Sequence, residues 1–236
     1  MGEPTQRATV RRVRLLSPTV RELVLLPLES KISFTPGQFV SLKLPVGEHP
    51  PLTRAYSMAE PESPSGELVL AFDRVPDGLG SGHLWSLKEG DEVVLAGPYG
   101  NFTAPQPLTV DLVFVARFTG IVPVRCMIRH LLAVPPARRV TLIYGSPTKA
   151  ERIYHDEFKD LAARHGAFCY LPTVLDGSGA TGEESRPEQG MLESLWAGRK
   201  DFLPMVCGTK AFVRPLKAYL TGLGFERKEA RYESYD

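Results

Sequence analysis

Apolar and polar positions fall into two different rhythms along this chain. Up to Leu95 they alternate in short runs broken by turn residues. Thr9–Leu16 and Thr19–Leu26 carry alternating and β-branched positions separated by Ser17-Pro18, so each reads as a strand. Pro36-Gly37 makes a turn, and Gln38–Leu44 resumes the alternation with Phe39, Ser41 and Leu42. Ala55–Ala59, Glu67–Val75 and Glu92–Leu95 complete about six strands, at the spacing of a small barrel or sandwich. Leu79–Leu87 is too short and too Gly-rich for a strand, and reads as a small helix inserted before the last one.

Beyond Pro105 the rhythm becomes strand, helix, strand, helix. Val110–Ala116, Val140–Tyr144, Phe168–Leu175 and Phe202–Cys207 are apolar runs of strand length. Between and after them, Val124, Met127, Ile128 and Leu131 share one helical face, Ala150 to His165 has a helical pattern, and Val213, Leu216, Leu220 and Leu223 share another face. Such alternation predicts a parallel sheet covered by helices on both faces. Ala104-Pro105-Gln106-Pro107 is the natural boundary. The expected architecture is therefore two-domain: a six-stranded antiparallel β-barrel over 1–106, then an α/β parallel-sheet domain over 107–236. Asp176–Gln189, rich in Gly, Ser, Glu and Pro, reads as a mobile surface loop.

Composition narrows the chemistry. In 236 residues, 43% hydrophobic and 23% charged side chains describe an ordinary globular protein. A net charge of +1 gives no reason to expect nucleic acid or an anionic membrane. No apolar run is long enough to span a bilayer and the Met1 end has no apolar signal core, so a cytoplasmic protein is expected. The three cysteines, Cys126, Cys169 and Cys207, are far apart and form no Cys-x-x-Cys pair, so no metal site is expected. A plant-type iron–sulfur cluster takes four thiolates, more than this chain carries. Among the five histidines, His83, His130 and His155 fall on helices without a partner at metal-ligand spacing, and each reads as a polar surface residue.

Four local patterns sit on this framework. Arg54-Ala55-Tyr56-Ser57 enters a barrel strand and offers a cation, an aromatic plane and a hydroxyl, the groups that a flavin phosphate, ring and reactive nitrogen require. With a side-chain period of two, Arg54 and Tyr56 point one way and Ser57 the other. Gly78-Leu79-Gly80-Ser81 opens the inserted helix, where free backbone N–H groups favour a phosphate. Gly97-Pro98-Tyr99-Gly100-Asn101-Phe102 closes the barrel as a tight double turn. Thr119-Gly120-Ile121-Val122-Pro123 follows the first α/β strand and starts its helix, a junction that can cradle a pyrophosphate. Taken singly, each is equally an ordinary strand, turn or helix start.

Taken together, and with Pro36-Gly37-Gln38-Phe39-Val40, Tyr144-Gly145-Ser146-Pro147-Thr148, Cys207-Gly208-Thr209-Lys210 and Glu233-Ser234-Tyr235, these motifs resemble the ferredoxin–NADP reductase superfamily, over nearly the whole chain. The resemblance implies an FAD-dependent NAD(P)H oxidoreductase. Its acceptor would be a ferredoxin-like protein, free flavin or an oxygenase component. It implies that Arg54 meets the flavin phosphate, that Tyr56 packs on the flavin, and that Ser57, beside Ala55 in the same motif, lies near the hydride-accepting nitrogen. Gly80 and Ser81 would give backbone donors to a pyrophosphate, favouring FAD over FMN. Thr119, Gly120, Gly208 and Thr209 would line the dinucleotide site, with Cys207 and Glu233 near the nicotinamide. Tyr235 resembles the aromatic that covers the flavin in some members. Catalysis would fall to Ser57, Cys207 and Glu233.

The chain departs from the family at Phe118, a position normally glycine, and at Arg117, often glycine. Phe118 could occlude the nucleotide or stack on it, and Arg117 could contact phosphate. The rival reading is a non-catalytic flavin-binding electron-transfer subunit with impaired NAD(P) binding. A third, a binding module without flavin, is opposed by the intact Arg54–Ser57 run. NADH and NADPH stay open. Val174-Leu175-Asp176 lacks the arginine some NADP-preferring members carry, while Lys149 and Arg152 lie near the expected ribose site or form a solvated face. Arg12 with Arg14, and Lys210 with Arg214 and Lys217, make basic faces that suit an acidic partner or plain solvent.

Overall fold

The computed structural model describes residues 4–47, 51–133, 138–175 and 186–235. It separates into two compact units, one of Met1–Thr103 with Arg125–His130, the other of Ala104–Val124 with Leu131–Asp236.

In the first unit, β1 (Gln6–Leu15), β2 (Val20–Pro27), β3 (Phe39–Leu44), β4 (Leu52–Ser57), β5 (Leu68–Asp73) and β6 (Glu92–Tyr99) form an antiparallel sheet in the order β4-β3-β6-β1-β2-β5. An isolated bridge between Met58 and Leu70 brings its two edges together. Alternation makes the core: along β3, Val40, Leu42 and Leu44 are buried while Lys43 is exposed. They join Leu23, Leu25, Leu68, Leu70 and Phe72 in one cluster, each such burial contributing about 1.5–3 kcal/mol. The inserted helix α1 (Leu79–Ser86) adds Leu84 to it.

Two strands differ from their sequence reading because pairing partners extend them. β4 begins at Leu52 rather than Ala55, since β3 offers a ladder from Leu44↔Leu52 to Phe39↔Ser57. β6 runs through Gly97-Pro98 to Tyr99, where the sequence suggests only a double turn. Phe39 still pairs with Tyr99 there, across an irregularity that accommodates a proline without an N–H.

The second unit holds the parallel strands β7 (Asp111–Arg117), β8 (Val140–Ser146), β9 (Phe168–Val174), β10 (Phe202–Thr209) and β11 (Arg231–Tyr235), in the order β11-β10-β7-β8-β9. Its helices are α2 (Ile121–Leu132), α3 (His155–Arg164), α4 (Arg186–Trp196) and α5 (Lys210–Gly222). Val113 and Val115 of β7 and Ile143 of β8 pack with Leu192 of α4 and Phe212 and Leu216 of α5. On the opposite parity, Tyr144 of β8 meets Phe158 of α3. Among the described residues no helix is long and apolar enough to cross a membrane.

Two boundaries correct the sequence reading, and one stretch gains a pairing partner. The helix expected from Ala150 starts at His155, because Tyr154 at φ 57 interrupts the helical backbone. Of the expected loop Asp176–Gln189, residues 176–185 lie outside the described residues, while 186–189 begin α4. Glu233–Tyr235 belongs to a strand paired in parallel with β10.

Arg117 also differs from expectation. It ends β7 almost fully buried, and rather than reaching for phosphate it grips Glu188 of α4 in a two-pronged ion pair, Nε–Oε1 2.6 Å and Nη2–Oε2 2.5 Å. The guanidinium also lies over the Phe212 ring, 4.8 Å from its centre. Gly145 makes room for this pair, since a Cβ there would stand 1.6 Å from Glu188 Oε1. Removing one member strands a buried charge, whereas replacing both with apolar side chains removes the problem altogether. Glu188→Ala should therefore lower unfolding stability by about 3–5 kcal/mol in urea titration, and Arg117→Met with Glu188→Leu should recover most of it. Equal stability of the single variant and wild type would show that the pair is solvated.

Candidate functional site

The first unit sets a cation beside a helix start, with an aromatic side chain on the same strand. Arg54 projects from edge strand β4 into solvent, and its guanidinium donates to the Thr53 carbonyl at 2.9 Å. Gly80 lies beside it: a Cβ there would be 3.6 Å from Arg54 Cγ and 3.1 Å from Leu44 and Leu52 side chains. That closeness puts the first turn of α1 next to the arginine. The helix ladder starts with Gly82 N–H donating to Gly78 C=O at 2.8 Å. The N–H groups of Leu79, Gly80 and Ser81 consequently have no acceptor within the helix. The Ser81 hydroxyl accepts from Val75 N–H at 3.1 Å, so it holds the turn and leaves its backbone N–H as the group on offer.

Tyr56, half-buried, meets the Phe72 ring edge-on at 5.9 Å. Burial pushes its phenol up to about 12, only partly opposed by the Arg54 charge, so the hydroxyl stays protonated. Ala55 and Ser57 take the other strand parity, paired with Ser41 and Phe39. Just past them, buried Arg125 donates to the Ala59 carbonyl and to Glu60, both at 2.8 Å. Sequence reading gave Arg125 no role, because a helical arginine carries no sign of a partner 65 or 66 positions away.

In the second unit the sheet order reverses direction between β7 and β10, the place where open α/β sheets bind their ligands. Thr119 and Gly120 lie in the 3-10 turn Phe118–Gly120 that follows β7, and Gly208 and Thr209 end β10. A Cβ on Gly120 would stand 2.3 Å from the Cys207 carbonyl oxygen, so only glycine allows the two strand ends to touch. Thr209 is the N-cap residue of α5, and its side chain makes no cap hydrogen bond. Phe118 adopts φ 50, the left-handed backbone that suits glycine, and is half-buried.

Cys207, Glu233 and Tyr235 come together on one face of β10 and β11. Cys207 is level with Glu233 in the ladder, and its Sγ lies 3.3 Å from the Tyr235 hydroxyl. Burial raises the Cys207 thiol far above its ordinary range, so it is a neutral thiol rather than a nucleophilic thiolate. Burial also raises the Glu233 carboxyl. His155, expected as a solvated residue, is half-buried with Nδ1 2.9 Å from the Tyr170 hydroxyl. Among the described residues no group of three or more His, Cys, Asp or Glu could hold a metal ion.

A cation beside an open helix start on a barrel-edge strand, and a switch point in a parallel sheet, are the features on which a two-domain flavin- and nicotinamide-linked oxidoreductase is built. Comparison with known proteins agrees. An oxidoreductase FAD-binding domain model matches residues 7–104, and an oxidoreductase NAD-binding domain model matches 114–217. Ferredoxin–NADP reductase B of Sorangium cellulosum is 33% identical over 245 residues, covering 100% of this chain and 99% of that protein. The reductase component DmpP of phenol 2-monooxygenase from Pseudomonas sp. is 32% identical over 237 residues, covering 96% of this chain, which spans 65% of that longer protein. Among solved structures, the Amycolatopsis cytochrome P450 reductase GcoB shares the fold, with TM-score 0.81 at 24% identity over 99% of this chain and 71% of that one. The chain belongs to the ferredoxin–NADP reductase superfamily. Impaired nucleotide binding finds no support, since the NAD-binding model runs through Phe118.

Replacing Arg54 by Ala deletes a charge-assisted contact and should weaken FAD binding by roughly ten- to a hundredfold in equilibrium dialysis. Undiminished affinity would remove Arg54 from the flavin site. Glu233 supplies a pH test. Its carboxyl is raised by burial, so its contribution to stability is full below the unfolded glutamate value of about 4.3 and is lost as pH rises through the folded value. Glu233→Gln cannot ionise, and its melting temperature should gain on wild type as pH rises. A constant difference across that range would show that Glu233 titrates normally.

Proposed function

We propose that this chain is an FAD-containing NAD(P)H reductase of the cytoplasm, delivering electrons to a partner off the chain: a ferredoxin-like protein, an oxygenase component or free flavin. The observation that carries the reading is Arg54 standing beside the open first turn of α1. A single phosphate would need only one of these. A cation and a row of backbone N–H groups together suit the pyrophosphate of FAD.

Bound FAD would supply the chemistry, a two-electron acceptor for hydride that can pass electrons on singly. The chain's own residues bind and orient. Arg54 and the N–H groups of Gly80 and Ser81 hold the flavin phosphates, and Tyr56 presents a neutral aromatic wall. Ser57 offers a hydroxyl to the hydride-accepting nitrogen. Thr119, Gly120, Gly208 and Thr209 hold the dinucleotide, with the starts of α2 and α5 favouring its phosphates. Cys207 and Glu233 flank the nicotinamide, and the Tyr235 hydroxyl on Cys207 keeps that face ordered until nucleotide arrives. We take 1–106 and 107–236 as the two working domains. The relatives support an off-chain acceptor, because their names identify a ferredoxin reductase and a monooxygenase reductase component.

Anaerobic stopped-flow mixing of the yellow holoprotein with NADPH or NADH tests the reading, and bleaching of the flavin band is expected with at least one. Glu233→Ala should keep its FAD yet reduce it at least about tenfold more slowly, because orientation at the reacting ring is lost. No bleaching of wild type by either nucleotide would end the reductase assignment, and a wild-type rate in Glu233→Ala would end that residue's role.

A further inference from the structure

The chain departs from its family at two adjacent residues, Arg117 and Phe118, and they stand where the turn after β7 begins. Phe118 adopts φ 50, a left-handed conformation that a bulky side chain rarely takes. Such a conformation costs free energy and persists only where the surroundings over-determine it. Glycine would hold this φ at no steric cost. With an aromatic side chain there, the backbone has to be held from outside.

The restraint lies one residue earlier. Arg117 faces Gly145 in the β7–β8 ladder, and its buried side chain leaves the sheet toward Glu188 of α4 and Phe212 of α5. Gly208, at the end of β10, closes the same corner: a Cβ there would stand 2.7 Å from the Phe212 ring and 3.4 Å from Arg117 Cβ. A paired guanidinium and carboxylate are directional, since two parallel hydrogen bonds admit one orientation. An apolar contact of the same volume admits several. With fork and Cβ both held, the peptide group that leads from Arg117 into Phe118 is held as well. Beyond the strained residue, Gly120 is pinned against the Cys207 carbonyl. Phe118 is therefore clamped from both sides.

We propose that Arg117 and Glu188 are positioning residues for nucleotide binding: their ion pair locks Phe118 left-handed and so holds the Thr119–Gly120 turn in its binding shape before the dinucleotide arrives. Neither side chain needs to touch the ligand. The assignment rests on the reductase reading, because it needs the dinucleotide at this turn. The probes are NADP+ and NAD+, titrated calorimetrically into the FAD-loaded full chain, with NADPH and NADH in stopped-flow reduction. Arg117→Met with Glu188→Leu removes the fork and keeps the packing, so its melting temperature should stay near wild type. Its nucleotide affinity should nevertheless fall about tenfold, because only molecules whose turn stays left-handed are competent to bind. The limiting rate of flavin reduction at saturating nucleotide should be unchanged, since the bound geometry is the same. Adding Phe118→Gly should restore most of the affinity, as glycine takes a positive φ without the fork. Glu188→Asp, which keeps the charge but withdraws the carboxylate by a methylene, should lose affinity by a smaller factor. Backbone chemical shifts of Phe118 give a readout independent of catalysis: left-handed in nucleotide-free wild type, and moved toward the right-handed region in the double variant. Wild-type affinity in the double variant, or no recovery on adding Phe118→Gly, would overturn the proposal. Right-handed shifts in nucleotide-free wild type would do the same. Failure of wild type to bind either nucleotide would instead sink the reductase reading.

Discussion

The backbone of Gly120 rests against the backbone of Cys207, and the geometry of the nucleotide half follows from that contact. A side chain at 120 would stand 2.3 Å from the Cys207 carbonyl, so the turn after β7 and the end of β10 can meet only while that residue is glycine. The meeting point is where the sheet order reverses, so the first turn of α2 and the start of α5 are presented at one place. Cys207 is thereby held by its backbone. Its thiol, on the opposite parity from Val206 and Gly208, is free to meet the Tyr235 hydroxyl. One close approach thus positions the anion-binding turns and the residues assigned to the nicotinamide.

Two arginines show why local sequence could read the surroundings of one and misjudge those of another. The setting of Arg54, exposed on β4 beside Gly80, was legible because its elements are local: a strand with period two, and a Gly-rich helix start whose N–H groups are free by helix geometry. Arg117 was not legible, because its partner Glu188 lies 71 positions away. That partner sits in a Gly-, Ser-, Glu- and Pro-rich stretch that reads as loop. The physical signal was present in Pro187 and Glu188, which suit the first turn of a helix, but the neighbouring composition outweighed it. Once paired, Arg117 is a member of the packing between β7, α4 and Phe212, and its charge is spent there rather than on a ligand.

The fold class was legible in the change of period near Pro105, since strand and helix patterns differ by geometry rather than by degree. Strand ends were not, because ladders are completed by partners distant in sequence. β6 continues through Gly97-Pro98 since Phe39 is there to pair with Tyr99, and β11 forms since the open edge of β10 is there to receive it. Neither event leaves a mark in the local pattern of residues 97–99 or 231–235.

The electrostatics of the assigned residues suit a reaction whose bond changes occur on cofactors. Burial raises the Tyr56 phenol, the Cys207 thiol and the Glu233 carboxyl, so all three are biased toward their neutral forms. A hydride carries its own electron pair and needs no ionised side chain to take a proton from carbon. A fixed negative charge beside the nicotinamide would stabilise its oxidised, cationic form and slow release of the product. The upward shift at Glu233 works against such a charge, and groups that pack and hydrogen-bond can order the ring without one. Arg54, by contrast, carries its charge on the exposed face of β4. Positive charge thus belongs to the proposed phosphate contact at Arg54, and buried groups with raised values to the residues assigned to the nicotinamide.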